Sequence, residues 1–477
     1  MASIIVYDLI LLAAFVIFFF VFLHTGKKNL KREGLMILYR TKWGIKLIDS
    51  LGGKHQKTLR FLSWVSITTG YLLMISVFWL IWGIVKIYLF QPSVVRAIKV
   101  PPIIPLFPYI DKVIPNLGLP SFYFTYFIII IAIVAITHEM AHGIFMKRYG
   151  IKITSTGFAF FPYFFPIFPA AFVEQDEKSM EKAGRFEQMA VLSAGTFANV
   201  LVTVFSFIVL LTFFSLAFVP NGLIFDSYAT SNVAIVGTMI INGISLENPT
   251  YEQLLENINE DGLTEIEIEE EIYLANKRLI ESQEIRISEG AIILYPSSPA
   301  IKGNLSQLIN EIDGVPILSI EDLQTELRKH NPGDKIIIRT ETEDGFLDQE
   351  IVLAENPEQE GKAWLGVGFF ERGRTSLLGK VVRAASFKEP HINYEPKFGD
   401  ISTFIYNLLW WLVLISISVA LINMLPVGIF DGGRFFYLTI LSLTGREKVA
   451  RKAFEYSTWF FLFLLFLIMV FWAISWI

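Results

Sequence analysis

Six apolar stretches, each long enough to cross a bilayer as a helix, alternate with polar connections along the chain. They are residues 3–23, 61–90, 122–146, 189–218, 403–426 and 457–477. The second is long enough to bend or to include an interfacial piece. The first is interrupted only by Asp8, lacks a basic leader and a small-residue cleavage site, and so reads as a retained span rather than a signal peptide. Between the fourth and fifth stretches the pattern changes in kind. From about 220 to 400 the apolar runs shorten and strand-like alternation appears, as in 265–268, 335–339 (KIIIR) and 350–353. The expected fold is therefore a polytopic α-helical membrane protein of about six spans with an α+β insertion. Its parts are 1–121 (N-terminal spans and basic loop), 122–219, the insertion 220–400, and 401–477.

A weak repeat divides the insertion. Ile241-Asn242-Gly243-Ile244 followed by a helix-like 251–258 parallels Ile312-Asp313-Gly314-Val315 followed by 319–328, the N-G and D-G pairs supplying tight turns between strands. The acidic run Glu265, Glu267, Glu269, Glu270 and Glu271 reads as a solvated strand face rather than a binding site. Residues 297–369 resemble a PDZ domain, carried by Ser298-Pro299-Ala300, 309–316, 319–327 and Pro332-Gly333-Asp334 ahead of KIIIR. The insertion then holds one or two PDZ-like units, at about 221–290 and 291–372; the alternative is one PDZ domain carrying an insertion.

Charge orients the spans. Residues 26–60 carry ten Lys or Arg against Glu33 and Asp49, and 434–452 carries Arg446, Lys448, Arg451 and Lys452. The positive-inside rule places both on the cytoplasmic side, and six spans make the two assignments agree. The insertion then falls outside the cytoplasm. Composition fits a cell-membrane protein: 53% of residues are hydrophobic and only 18% charged, below the roughly 25% of a soluble domain. A net charge of −5 argues against a nucleic-acid partner, and the absence of cysteine excludes thiolate metal sites and cysteine nucleophiles.

The chemistry concentrates at His138-Glu139-Met140-Ala141-His142. Four-residue spacing on a helix puts both imidazoles on one face, where they can hold one metal ion, with Glu139 beside the open position to take a proton from water. The motif lies toward the end of a span, with no Lys or Arg beside it, and intramembrane ionisable groups are costly. Asp431 is the candidate third ligand. It follows a helix end broken by Pro426 and Gly428 and precedes Gly432-Gly433. A D-G-G alone is usually a turn, but here it falls at the same membrane side as the histidines.

Together, His138-Glu139-x-x-His142 and Asn423-x-x-Pro426-x-x-x-x-Asp431-Gly432 resemble the signatures of the site-2 protease family of intramembrane metalloproteases. A third element, Ala194-Gly195-Thr196-Phe197-Ala198-Asn199, is similar to that family's small-residue and Asn pattern, with Thr196 where many members have Pro. The resemblance implies Zn²⁺ as cofactor and a transmembrane protein as substrate, while the span orientation puts the active site near the cytoplasmic side. It also implies roles for Asn199 and Asn423 in holding substrate or the site's geometry, with interhelical hydrogen bonding alone as the alternative. Residues 154–174, with prolines at 162, 166 and 169, correspond to a membrane-embedded hairpin that pairs with extended substrate; the alternative is an interfacial aromatic anchor. The PDZ-like region implies a peptide or C-terminus ligand. Other readings are a zincin with a Glu ligand and a soluble-facing site, and a non-proteolytic scaffold or metal transporter. His24, His55, His330 and His391 are not expected to reach the metal, and Trp410, Trp411, Trp472 and Trp476 are expected at lipid or the interface.

Overall fold

The computed structural model describes residues 4–25, 30–42, 44–91, 95, 101, 104, 106–114, 119–161, 168–342, 345–370 and 386–474. It divides into two units: residues 1–216 with 400–477, and residues 217–399. Among the described residues, six helices are long and apolar enough to span a membrane. They are α1 (Ile4–Thr25), α3 (Gln56–Phe90), α4 (Phe124–Arg148), α5 (Arg185–Ala217), α6 (Asp400–Asn423) and α8 (Glu447–Ile474). Two shorter helices matter to the site: α2 (Ile45–Lys54) and α7 (Asp431–Thr444). The chain is an integral membrane protein. The long second stretch does not bend into pieces: α3 is one helix of 35 residues, about 52 Å at 1.5 Å per residue, well beyond a ~30 Å hydrocarbon core.

The helices of the first unit close around α4. Its N-terminal half, with Phe122 just before it, packs with α6 through Phe122, Tyr126, Ile130 and Trp411, all buried. Trp411 thus corrects the lipid-facing expectation: it is 4% exposed, with its ring 4.6 Å from that of Phe122. Trp476 lies outside the described residues. Near the C-terminal end of α4, Gly143 admits Ile48 of α2, whose Cδ1 would stand 2.7 Å from any Cβ placed there. On the other side α3, α5, α7 and the connection after α6 share a core of Leu73, Ala190, Ala194, Met424 and Phe435. Hydroxyl pairs stitch these apolar surfaces, Ser66 to Ser193 at 2.8 Å and Tyr71 to Thr439 at 3.0 Å.

Asp8, the one charge in the first stretch, is 3% exposed and caps a different helix. Its carboxylate accepts from the amides of Phe124 (2.8 Å) and Thr125 (2.9 Å), from the Thr125 hydroxyl, and from the Tyr109 hydroxyl (2.6 Å). The first turn of α4 has amides without intrahelical partners, and α1 supplies the acceptor together with a favourable dipole interaction. Asp8→Ala strands those donors. It is expected to destabilise the bundle by about 3 kcal/mol, read as a lowered Tm of the detergent-solubilised protein; an unchanged Tm would refute the capping role.

Residues 154–174, for which the family resemblance implied a hairpin, form β3 (Ile153–Phe161) and β4 (Phe168–Gln175), while 162–167 lie outside the described residues. The hairpin joins an antiparallel sheet ordered β1-β2-β3-β4, with β1 (Leu30–Glu33) and β2 (Met36–Thr41) drawn from the basic loop. Register pairs Tyr39 with Phe158 and Phe158 with Ala171. Arg40 reaches across β3 to Glu174 at 3.2 Å. The backbone of β4 is thereby fixed at one edge of the sheet, against α4.

The second unit contains two six-stranded sheets. The first spans Ser231–Ala234 to Ala291–Pro296 and buries Met239, Ile241, Ile266, Ile292 and Leu294 with Leu254 of the helix Tyr251–Asn257. The second buries Leu223, Ile309, Ile312, Ile336 and Ile338 with Leu323 of the helix Ile320–Leu327. Each has a two-residue hairpin with both central residues left-handed, Asn242-Gly243 (φ 52 and 78) and Asp313-Gly314 (φ 49 and 79). Glu265 and Glu267 point to solvent between buried Thr264, Ile266 and Ile268. The second sheet extends beyond 291–372: it takes in Phe218–Ile224 and Ile392–Pro396, so the first sheet is nested within its chain. Strand pairing is non-local, and the outer strands carry no repeat signal that sequence could reveal.

Candidate metal centre

α4 carries His138, Glu139 and His142 ten, nine and six residues from its C-terminal end, about 15, 13 and 9 Å along the axis. Both imidazoles are buried, each 7% exposed, and their Nε2 atoms lie 3.0 Å apart. Asp431, first residue of α7, brings Oδ2 to 3.4 Å from His138 Nε2 and 3.3 Å from His142 Nε2. The three donor atoms lie within 4.8 Å of one another. Gly432 and Gly433 explain how α7 starts so close to the end of α6. A Cβ at either would collide with backbone carbonyls of Met424, Leu425 or Val427.

Each histidine is held at its other nitrogen. His142 Nδ1 is 2.7 Å from the Val191 carbonyl, which can only accept; Nδ1 therefore carries the proton and Nε2 presents its lone pair. His138 Nδ1 is 3.1 Å from the carboxamide nitrogen of fully buried Asn199. That orientation leaves Asn199 Oδ1 buried without a partner. Turning the amide by 180° lets Oδ1 accept from Nδ1–H and leaves His138 Nε2 as a second lone pair. Both tautomers then suit a cation.

The space among the donors is kept open by a missing side chain. A Cβ at Gly195 of α5 would stand 2.5 Å from His142 Nε2 and 2.6 Å from His138 Nε2. Two imidazoles and a carboxylate, with no thiolate, are a donor set that fits Zn²⁺, and three protein ligands leave a coordination position for chemistry. Glu139 does not join the cluster; its Oε2 accepts from the Val173 amide of β4 at 2.9 Å. The cavity in front of these groups, about 780 Å³, is lined by Glu139, Asp431 and Asn423, by β4 from Pro169 to Gln175, and by apolar Ile131, Val134 and Ile415. His330 and His391 pair instead with Asp313 and Asp226 inside the second unit, and His24 and His55 are exposed.

Sequence reasoning brought His138, His142, Asp431 and Asn199 forward, and they meet in space; Asn423 lines the cavity without touching the donor cluster. It missed the Val191 carbonyl and Val173 amide, because backbone groups have no sequence signature. Gly195 was visible only as part of a small-residue pattern.

A membrane-embedded helix bundle with an H-E-x-x-H and a carboxylate at one buried point defines a membrane metallopeptidase architecture. Peptidase family M50 matches residues 126–468, well over half of the chain, and the chain belongs to that family, the site-2 protease family that its motifs resemble. Among known proteins, the zinc metalloprotease RasP of Shouchella clausii (strain KSM-K16) is 25% identical over 199 residues. That alignment covers 36% of this chain and 47% of RasP, just under half its length. Zinc is the cofactor that family and donor set together give.

Proposed function

We propose that this chain is an intramembrane zinc endopeptidase that hydrolyses peptide bonds in or near transmembrane segments of membrane-protein substrates. The observation that carries the reading is the convergence of His138, His142 and Asp431 on one buried point beside Glu139, at the wall of an apolar-sided cavity. His138, His142 and Asp431 would hold the metal. Zinc, when bound, supplies a Lewis acid that polarises a carbonyl and lowers the pKa of water. Glu139 accepts the proton of the attacking water and delivers it to the departing amine nitrogen as the C–N bond breaks. The β4 edge offers an extended segment main-chain partners by strand addition, which requires local unwinding of a substrate helix. Asn423, on the cavity wall, contributes to substrate placement. Asn199 orients His138.

In this reading the basic loops face the cytoplasm of a cell-membrane protein, with the site nearer that side and residues 220–400 on the other. The two hairpin-and-helix units of that insertion support a pair of PDZ-like folds at about 221–290 and 291–372, the latter with its outlying strands. Their role is to exclude bulky ectodomains or to recognise a newly exposed C-terminus, so that cleavage follows a first cut by another protease, as in regulated intramembrane proteolysis.

The test is cleavage by the purified full-length protein in liposomes with a single-span substrate. Two fragments, cut apart at a site in or beside the span, are expected, with loss of cleavage on chelation and recovery on adding zinc; an intact substrate beside zinc-loaded protein refutes the reading. The orienting role of Asn199 has its own signature. Asn199→Leu should weaken zinc affinity by about 10- to 100-fold, measured by competition with a chelator. Asn199→Asp, which keeps an acceptor, should recover much of it. Equal affinities for both variants would exclude the acceptor role.

A further inference from the structure

A second cavity, about 350 Å³, adjoins the first and has almost wholly apolar walls. Phe15, Phe18, Phe19 and Phe22 of α1 form one side, and Phe158 and Phe160 of β3 another. It shares Ile131, Ala135, Pro169, Ala170 and Ala171 with the cavity in front of the metal centre, so the two spaces adjoin along a common wall. Ala135 lies one turn before His138 on α4.

Strand geometry says what this space faces. Cross-strand partners share a face of a sheet, so the pairs Tyr39–Phe158, Phe158–Ala171 and Phe160–Pro169 put all these side chains on one face. α1 packs on that face: the Phe19 and Phe160 rings are 4.7 Å apart, and those of Phe22 and Tyr39 5.1 Å. The Val173 amide points away from β3, to Glu139. Residues two apart along a strand present their backbone groups to the same side, so Ala171 offers its N–H and C=O along the same outer edge. A segment added there places the residue opposite Ala171 on the α1 face, over the second cavity.

We propose that this cavity is a substrate subsite that takes one large apolar side chain, of leucine or phenylalanine, from the segment lying along β4. The proposal rests on the protease reading above. A dry cavity of about 150 Å³ already accommodates benzene, so a phenyl ring fits with room to spare, and a charged side chain would be stranded among phenylalanines. Ala171, directly beneath the added residue, leaves the entrance open.

The experiment uses full-length protein in liposomes with a single-span substrate whose junction has been mapped. Each position near the junction is replaced in turn by Ala, Leu, Phe and Asp. One position should prefer Leu or Phe over Ala by about tenfold or more in kcat/KM, with Asp worst. Ala132 borders this cavity but not the metal-site cavity; Ala132→Leu should cut that preference about tenfold. The absence of a preferring position, or an equal change for all substrates in Ala132→Leu, as for a groove filled by lipid, overturns the subsite. A binding readout keeps the question separate from catalysis. With a photoreactive phenylalanine analogue at that substrate position, crosslinks in the Glu139→Gln protein should fall on α1 residues 15–22. Crosslinks confined to other elements overturn the subsite even if cleavage occurs, whereas crosslinks on α1 without any cleavage by the unmodified protein overturn the protease reading alone.

Discussion

Glu139→Gln is expected to keep zinc at full occupancy and to lower substrate cleavage by at least about 10²- to 10⁴-fold. The side chain keeps its size, and a glutamine Oε1 can still accept from the Val173 amide that holds Glu139 at 2.9 Å. The three metal donors are untouched, since Glu139 lies outside their cluster. What disappears is the basic carboxylate, and with it the proton transfer from water to the leaving amine that the proposed mechanism assigns to Glu139. At 1.36 kcal/mol per tenfold, the loss corresponds to about 3–5 kcal/mol of transition-state stabilisation. Metal analysis beside a cleavage assay on the same preparation checks both halves. Cleavage within tenfold of the unmodified protein would remove Glu139 as the base, and loss of zinc would move it into the ligand set.

Gly195→Ala is expected to do the opposite, emptying the centre of zinc while leaving the bundle folded. Alanine in a helix interior ordinarily stabilises by roughly 0.5–1 kcal/mol over glycine. Here the new methyl would stand 2.5–2.6 Å from the nitrogens that must face the metal, where ordinary carbon contacts need about 3.5–4.0 Å. α5 cannot yield, because Ala190, Ser193, Ala194, Thr196 and Asn199 are all fully buried against neighbours. Zinc content should fall below about a tenth of the normal value, with an unchanged elution volume and Tm in the metal-free state. Full zinc retention would show that the ligands converge elsewhere.

The spans and the candidate metal donors were legible because both obey short-range rules. A membrane span is a run of apolar residues, and His138 and His142 share a helix face through spacing alone. Asp431 was legible because Pro426 and the following glycines flag a broken helix beside a carboxylate. The partners of these groups were not. That Asp8 caps α4 rather than serving its own helix depends on a pairing more than a hundred residues away in sequence. The recruitment of residues 30–41 into the hairpin sheet was hidden by their basic character, which reads as a solvated loop. Trp411 looked interfacial because an aromatic pair gives no clue to which side of α6 it occupies; packing against Phe122 decides it.

The nested chain path of the second unit bears on how this protein can change over time. The unit begins and ends on two strands that pair directly, Phe218–Ile224 with Ile392–Pro396, and the Lys397 amide bonds to the Ala217 carbonyl at 2.9 Å. Its first and last strands are therefore neighbours. Closing the distance between them with a short linker asks little of the chain in entropy. Deleting the insertion as a block and closing the chain with a short linker is therefore expected to leave the helices that carry His138, Gly195 and Asp431 folded, read as a retained elution volume in detergent. Sequence change in the second unit and in the helices of the first can then proceed at separate rates within one polypeptide.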